Sequence, residues 1–237
     1  MASETRTRAR PFPPTGKWPP DDTEESVLGT DLHQTTITNL RWGINEIARL
    51  RRAPEGPVPW KALSQNALLG CLHFDGSSYR TYPDVFVYRR PIDPDRGSVT
   101  LAADGPPILV IEVLSDSTYE ADIDIVRGKG YSYAHAGVRE YLAVDPTGAF
   151  LPEGIRAWHL VDETYRLWAP HGDGRWHSAQ IDVAIALEGA MATVYTRDGR
   201  RILREGEVEE ELTRLHQELD RLRRLLDARQ QGAEDSL

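Results

Sequence analysis

Three residues of this chain combine a reactive type with an unfavourable setting. Glu112 is the one charge in the run ILVIEVL (residues 108–114). A carboxylate buried in such a strand is costly unless a cation or hydrogen-bond donors meet it. Asp84 lies in a second apolar run, YPDVFVY (residues 82–88), directly after Pro83. Lys129 is the third. Read on a helix, its face-mates are Ile125, Val126, Tyr133 and Ala136, so its ammonium faces the sheet and needs an anion. Two carboxylates on neighbouring strands form a hard-oxygen site suited to Mg²⁺ or Mn²⁺, completed by waters and a substrate phosphate. A cation beside them can orient the attacking water or offset charge developing on phosphorus, and that chemistry is phosphodiester hydrolysis. Each residue also has an ordinary reading: Asp84 at a strand edge, Glu112 paired with an arginine, Lys129 snorkelling to solvent. Their joint occurrence in this order favours the functional one.

The elements that must position these groups follow from periodicity. Ile37, Leu40, Ile44 and Ile47 mark an amphipathic helix, with Thr30 or Asp31 as its N-cap and an end near Arg52. Trp60 to Cys71 reads as strand or short helix, and Tyr82 to Tyr88 as a strand. Arg89 to Pro107, rich in proline, glycine and aspartate, reads as a loop. Ile108 to Leu114 has the continuous apolar character of a central strand covered on both faces. A helix is expected from about Tyr119 to Ala136, weakened by Gly128 and Gly130 and stopped by Gly137. A strand from Glu140 to Asp145 then completes a βαβ crossover with a partly parallel sheet. Trp158–Trp168 and Trp176–Tyr195 suggest antiparallel strands. Val208, Leu212, Leu215, Leu219, Leu222 and Leu226 follow a heptad seam, which favours a coiled coil and a homodimer over a helix packed on its own domain. The expected division is an irregular arm over 1–26, one α/β mixed-sheet domain over 27–204, and a C-terminal coiled-coil helix with an acidic tail over 205–237.

Composition narrows the setting. The chain has 237 residues, 40% of them hydrophobic, which is enough for one sizeable core. It shows no apolar run long enough to span a membrane, and its polar, basic start does not read as a secretory signal. The one cysteine, Cys71, rules out an internal disulfide; set beside Leu69 and Leu72, it reads as a small core residue. The expected location is the reducing cytoplasm. A formal charge of −9 is awkward for a nucleic-acid partner. Residues 205–237, however, hold ten acidic residues against five arginines, so −5 of that charge sits in the tail. Only three of the 28 basic residues are lysines, Lys17, Lys61 and Lys129, which singles out the last. Arg6, Arg8, Arg10 and Lys17 make the N-terminal arm basic.

The segments YPDVFVY, PPILVIEVLSDST, the downstream lysine and YAHAGVREYLAVDP together resemble the Uma-two family of endonucleases, in the PD-(D/E)XK restriction-endonuclease-like superfamily. The resemblance covers about Asp31 to Leu203. It implies a restriction-endonuclease-like core with flanking helices and additional antiparallel strands, and a Mg²⁺-dependent endonuclease acting on DNA. It also implies that Asp84 and Glu112 are metal ligands, with the backbone carbonyl of Val113 as a third. Lys129 takes the role of the catalytic lysine, moved from the strand, where Leu114 stands, to the following helix. His33 matches a histidine at the start of the family's first helix and is read as an auxiliary catalytic group. Where the family commonly has an aspartate four residues before the lysine, this chain has Ile125, with Asp122 and Asp124 nearby. The alternative is a nuclease-fold binding or scaffold module, catalytically inactive, that dimerises through its C-terminal helix. The negative net charge favours it, and the intact Asp84, Glu112 and Lys129 set opposes it.

Overall fold

In the computed structural model residues 31–90, 92–93 and 96–234 are described. The basic arm and Thr30 lie outside the described residues. Helix α1 (Asp31–Leu50) buries Ile37, Leu40, Ile44 and Ile47, the stripe expected of it. The ambiguous stretch after it is two strands, β1 (Lys61–Leu63) and β2 (Ala67–Leu72), and β3 (Ser78–Thr81) returns along β2. β4 (Val85–Tyr88) starts two residues after Pro83, so Asp84 precedes the strand rather than lying in it.

Residues 89–107 are not loop throughout. They contain β5 (Ser98–Thr100) and the short helix α2 (Leu101–Asp104). β5 pairs in parallel with β2 and buries Val99, while the Thr100 hydroxyl accepts a hydrogen bond from the Ala103 N–H. The Asp104 carboxylate then binds Arg96 at 2.8 Å. These long-range pairings override the loop-like composition.

The central strand β6 (Leu109–Val113) is followed by α3 (Tyr119–Ile123) and α4 (Lys129–Ala136), and then by β7 (Glu140–Val144). The single helix expected over Tyr119–Ala136 is therefore two. Asp124 breaks it: its backbone is extended, and its carboxylate accepts the N–H groups of Val126 and Arg127. Gly137 ends α4 in the left-handed region (φ 87°), donating to the carbonyls of Ala134 and Tyr133. β8 (Ile155–Val161), β9 (Thr164–Trp168), β10 (Trp176–His177), β11 (Val183–Glu188), β12 (Met191–Thr196) and the long helix α5 (Glu205–Glu234) complete the chain.

The main sheet has six strands in the order β1-β4-β6-β7-β8-β9. β6 and β7 run parallel, joined by the α3–α4 crossover, and the other neighbours are antiparallel. Two three-stranded sheets, β10-β11-β12 and β3-β2-β5, flank it. Strand alternation sorts the core. Val85, Val87, Leu109, Ile111, Val113, Leu142 and Val144 pack with α1 and with β11 and β12. Phe86, Tyr88, Val110, Leu114, Tyr141 and Ala143 face the other way, with Leu68, Cys71, Val99 and Tyr133. Glu112 shares the parity of Val110 and Leu114, so its side chain enters the α4 side. The architecture is the expected α/β mixed sheet with flanking helices. Among the described residues no helix is long and apolar enough to cross a membrane.

Candidate active site

The antiparallel register pairs Val85 with Ile111, so one step along the ladder brings Asp84 beside Glu112 at the C-terminal end of β6. The Asp84 N–H lies 3.4 Å from Glu112 Oε2, and Asp84 Oδ2 accepts the Val113 N–H at 2.7 Å. Glu112 is 1% exposed and Asp84 8%. The strand pairing that builds the sheet thus sets the spacing of the two carboxylates.

Two helix starts reach the same end of the sheet. From α1, His33 Nε2 lies 2.9 Å from the Val113 carbonyl and 3.5 Å from Asp84 Oδ2. A carbonyl only accepts, so Nε2 carries the proton. Burial works against a charge on His33, but Asp84 and the Val113 carbonyl outweigh it and raise the imidazole's pKa. From α4, Lys129 is the first helical residue and 4% exposed. Its Nζ lies 3.1 Å from Asp122 Oδ1 and 3.5 Å from Glu112 Oε1. The sequence-predicted set of Asp84, Glu112, Lys129 and His33 is therefore gathered in one place, around the Val113 peptide unit.

Two further residues belong to the cluster. Asp122, on α3, is 1% exposed, and its Oδ1 has no hydrogen bond beyond the ion pair with Lys129. Burial raises its pKa, with the Lys129 charge opposing. Tyr133, one helical turn after Lys129, donates to Glu112 Oε1 at 2.5 Å. The Thr81 hydroxyl, 3.0 Å from the Tyr133 oxygen, then acts as donor to it. This chain of hydroxyls fixes one Glu112 oxygen. Asp122 stands out in the sequence only as an acid near the lysine, and Tyr133 passes for part of an apolar stripe. Asp124 serves the chain break instead, and Cys71 sits in the core at 1% exposure with its thiol pushed up to about 12 by burial. A thiol in that state is no nucleophile.

Gly128 and Gly130 do not loosen the lysine. A Cβ on Gly128 would lie 2.3 Å from the Ala121 carbonyl oxygen and 2.7 Å from that of Asp124; on Gly130 it would lie 2.7 Å from Ile125 Cα. The glycines let the 124–128 turn close against the start of α4, and that closure holds Lys129 over Asp122. Gly128→Ala is expected to lose about 2 kcal/mol of stability, because both obstacles are backbone oxygens. Chemical denaturation measures this, and an unchanged midpoint would contradict the packing argument.

Three carboxylates here face one lysine and one histidine. The remaining negative charge and the all-oxygen character of Asp84, Glu112 and the Val113 carbonyl fit a hard divalent cation such as Mg²⁺. No curated protein matches the chain. A family profile, Uma2, described as "Putative restriction endonuclease", matches residues 29–220, a span that holds every residue of the cluster. On that match, which takes in most of its length, the chain belongs to the Uma2 family.

Proposed function

We propose that this protein is a Mg²⁺- or Mn²⁺-dependent endonuclease that hydrolyses phosphodiester bonds in DNA. The observation that carries the reading is the convergence of Asp84, Glu112 and Lys129 at the C-terminal end of β6, inside a family described as "Putative restriction endonuclease". Asp84, Glu112 and the Val113 carbonyl would hold the ion, and a bound divalent ion supplies Lewis-acid polarisation of the phosphate and a more acidic water. The chain's own groups do the rest. Lys129, held by Asp122 and Glu112, acts as a hydrogen-bond donor. It orients the attacking water and offsets charge gathering on the phosphate oxygens. The water oxygen bonds to phosphorus as the bond to the sugar oxygen breaks; the water's proton passes to solvent, and the departing sugar oxygen takes one up from solvent. Tyr133 and Thr81 keep Glu112 in one rotamer, which limits the reorganisation the step requires. His33 orients the Val113 carbonyl and balances Asp84.

Nicking of supercoiled plasmid with Mg²⁺ or Mn²⁺, abolished by EDTA and by Asp84→Ala, is the expected result. Intact plasmid with folded protein, together with no carboxylate-dependent Mn²⁺ binding, would replace this reading with the inactive scaffold.

The reading includes a homodimer formed through α5. Arg201 and Arg204 clamp its first turn by binding Glu207 and Glu188, and the helix then leaves the domain. Along it Leu212, Leu215, Leu219 and Leu222 are 51, 52, 44 and 54% exposed. Water-facing leucines at heptad spacing favour a partner helix. In a parallel pair Glu218 would face Arg223 of the partner subunit, a favourable pairing; in the antiparallel register that sets Leu215 against Leu219, Glu218 would face its own copy. Leu219→Cys is therefore expected to form a disulfide-linked dimer under mild oxidation. Cys71 is too buried to compete. Crosslinking only when Leu215→Cys and Leu219→Cys chains are mixed would establish the antiparallel pair.

A further inference from the structure

Two imidazoles meet at the turn that leads from β9 into β10. Its sequence is His171-Gly-Asp173-Gly-Arg-Trp-His177. The turn is closed by backbone hydrogen bonds, His171 N–H to the Arg175 carbonyl at 2.7 Å and Gly174 N–H to the His171 carbonyl at 2.8 Å. Gly174 takes φ 76°, a conformation that favours glycine. The result presents three side chains together. His177 Nε2 lies 3.1 and 3.3 Å from the two Asp173 oxygens, and the His171 and His177 rings are 4.9 Å apart between centroids. One donor atom from each residue lies within 4.8 Å of the other two.

We propose that His171, Asp173 and His177 form a second metal site, selective for borderline transition ions such as Zn²⁺ and Co²⁺, which ties the turn at 171–175 to β10. Donor chemistry separates it from the carboxylate centre. Two imidazoles and one carboxylate suit Zn²⁺, Co²⁺, Ni²⁺ or Cu²⁺, whereas Mg²⁺ prefers oxygen alone. Donors on a tetrahedral ion at bond lengths of about 2.0–2.1 Å sit roughly 3.3 Å apart. The Asp173–His177 pair already has that spacing. His171 is exposed, so rotation of its side chain can close the rest. The competing cation is partly drawn off: the Arg175 guanidinium stacks 3.8 Å over the Tyr195 ring and stays 3.6 Å from Asp173. Three protein ligands would leave one position for water, a more open set than the four-ligand structural zinc site.

The site goes beyond the nuclease reading and stands or falls separately. The test uses tag-free full-length protein carrying Glu112→Gln, with excess Mg²⁺ to occupy oxygen sites. Calorimetric titration with Zn²⁺ is expected to give one equivalent bound, and Co²⁺ to give the intense visible bands of a four-coordinate ion. His177→Ala, and independently the exposed His171→Ala, are expected to weaken Zn²⁺ binding on the order of tenfold or more. Both should also remove the rise in melting temperature that Zn²⁺ confers. Zn²⁺ affinity unchanged in both variants, or no binding by the folded parent, would overturn the proposal.

Discussion

Glu112→Gln is expected to lower the rate of metal-dependent cleavage by more than about a hundredfold while leaving the protein as stable as before, or more so. The two effects share one cause. Asp84, Glu112 and Asp122 share His33 and Lys129 as their counter-charges, so the buried cluster carries an excess of negative charge that Glu112→Gln reduces. The amide keeps the shape of the carboxylate and its oxygen still accepts from Tyr133, but it neither binds a cation as strongly nor repels the other two acids. Lys129 keeps Asp122 as its partner, so the eased repulsion among the three acids offsets the lost contact with Glu112. Plasmid nicking and thermal unfolding on the same preparations measure both halves. A fall in melting temperature accompanying the loss of activity would show that Glu112 contributes to folding, and the assignment to chemistry would fail.

Lys129→Met is expected to remove cleavage too, with the opposite effect on stability. The methionine fills the space but leaves Asp122 and Glu112 facing each other without their nearest cation. Breaking a buried ion pair from one side typically costs about 3 kcal/mol or more. For a domain of this size that lowers the melting temperature by roughly 6–12 °C. A second substitution, Asp122→Asn, should recover much of the stability without the activity, because it removes the anion that the lysine had balanced. An additive double mutant, with no recovery, would mean that Lys129 and Asp122 do not act as a pair.

Much of this site is legible in the amino-acid sequence, for identifiable reasons. Glu112 stands out because a lone charge in a strand covered on both faces must be met by a buried partner or a ligand, and the strand's parity decides which face it enters. The βαβ crossover, α1 and the Gly137 stop are local patterns that the fold keeps. Asp122 and Tyr133 are less visible. Asp122 is buried only because the chain turns back at 124–128, and that turn depends on how closely two glycines approach backbone oxygens, a steric fact with no periodic signature. Tyr133 is a core aromatic by spacing, and its role lies in a single hydroxyl. β5 is hidden because its pairing with β2 joins segments far apart in sequence, and composition alone argues for a loop. The family match adds what no single element shows, the order of all these pieces along one chain.

The cluster draws on residues from His33 to Tyr133, and β6, which carries Glu112, is flanked by β7 from further along still. A chain still emerging from the ribosome cannot close this arrangement until β7 has been made, and a chain clipped before Lys129 never can. A chain broken anywhere between His33 and Lys129 thus lacks part of the charge cluster, and neither piece of a cut in that stretch carries the whole site.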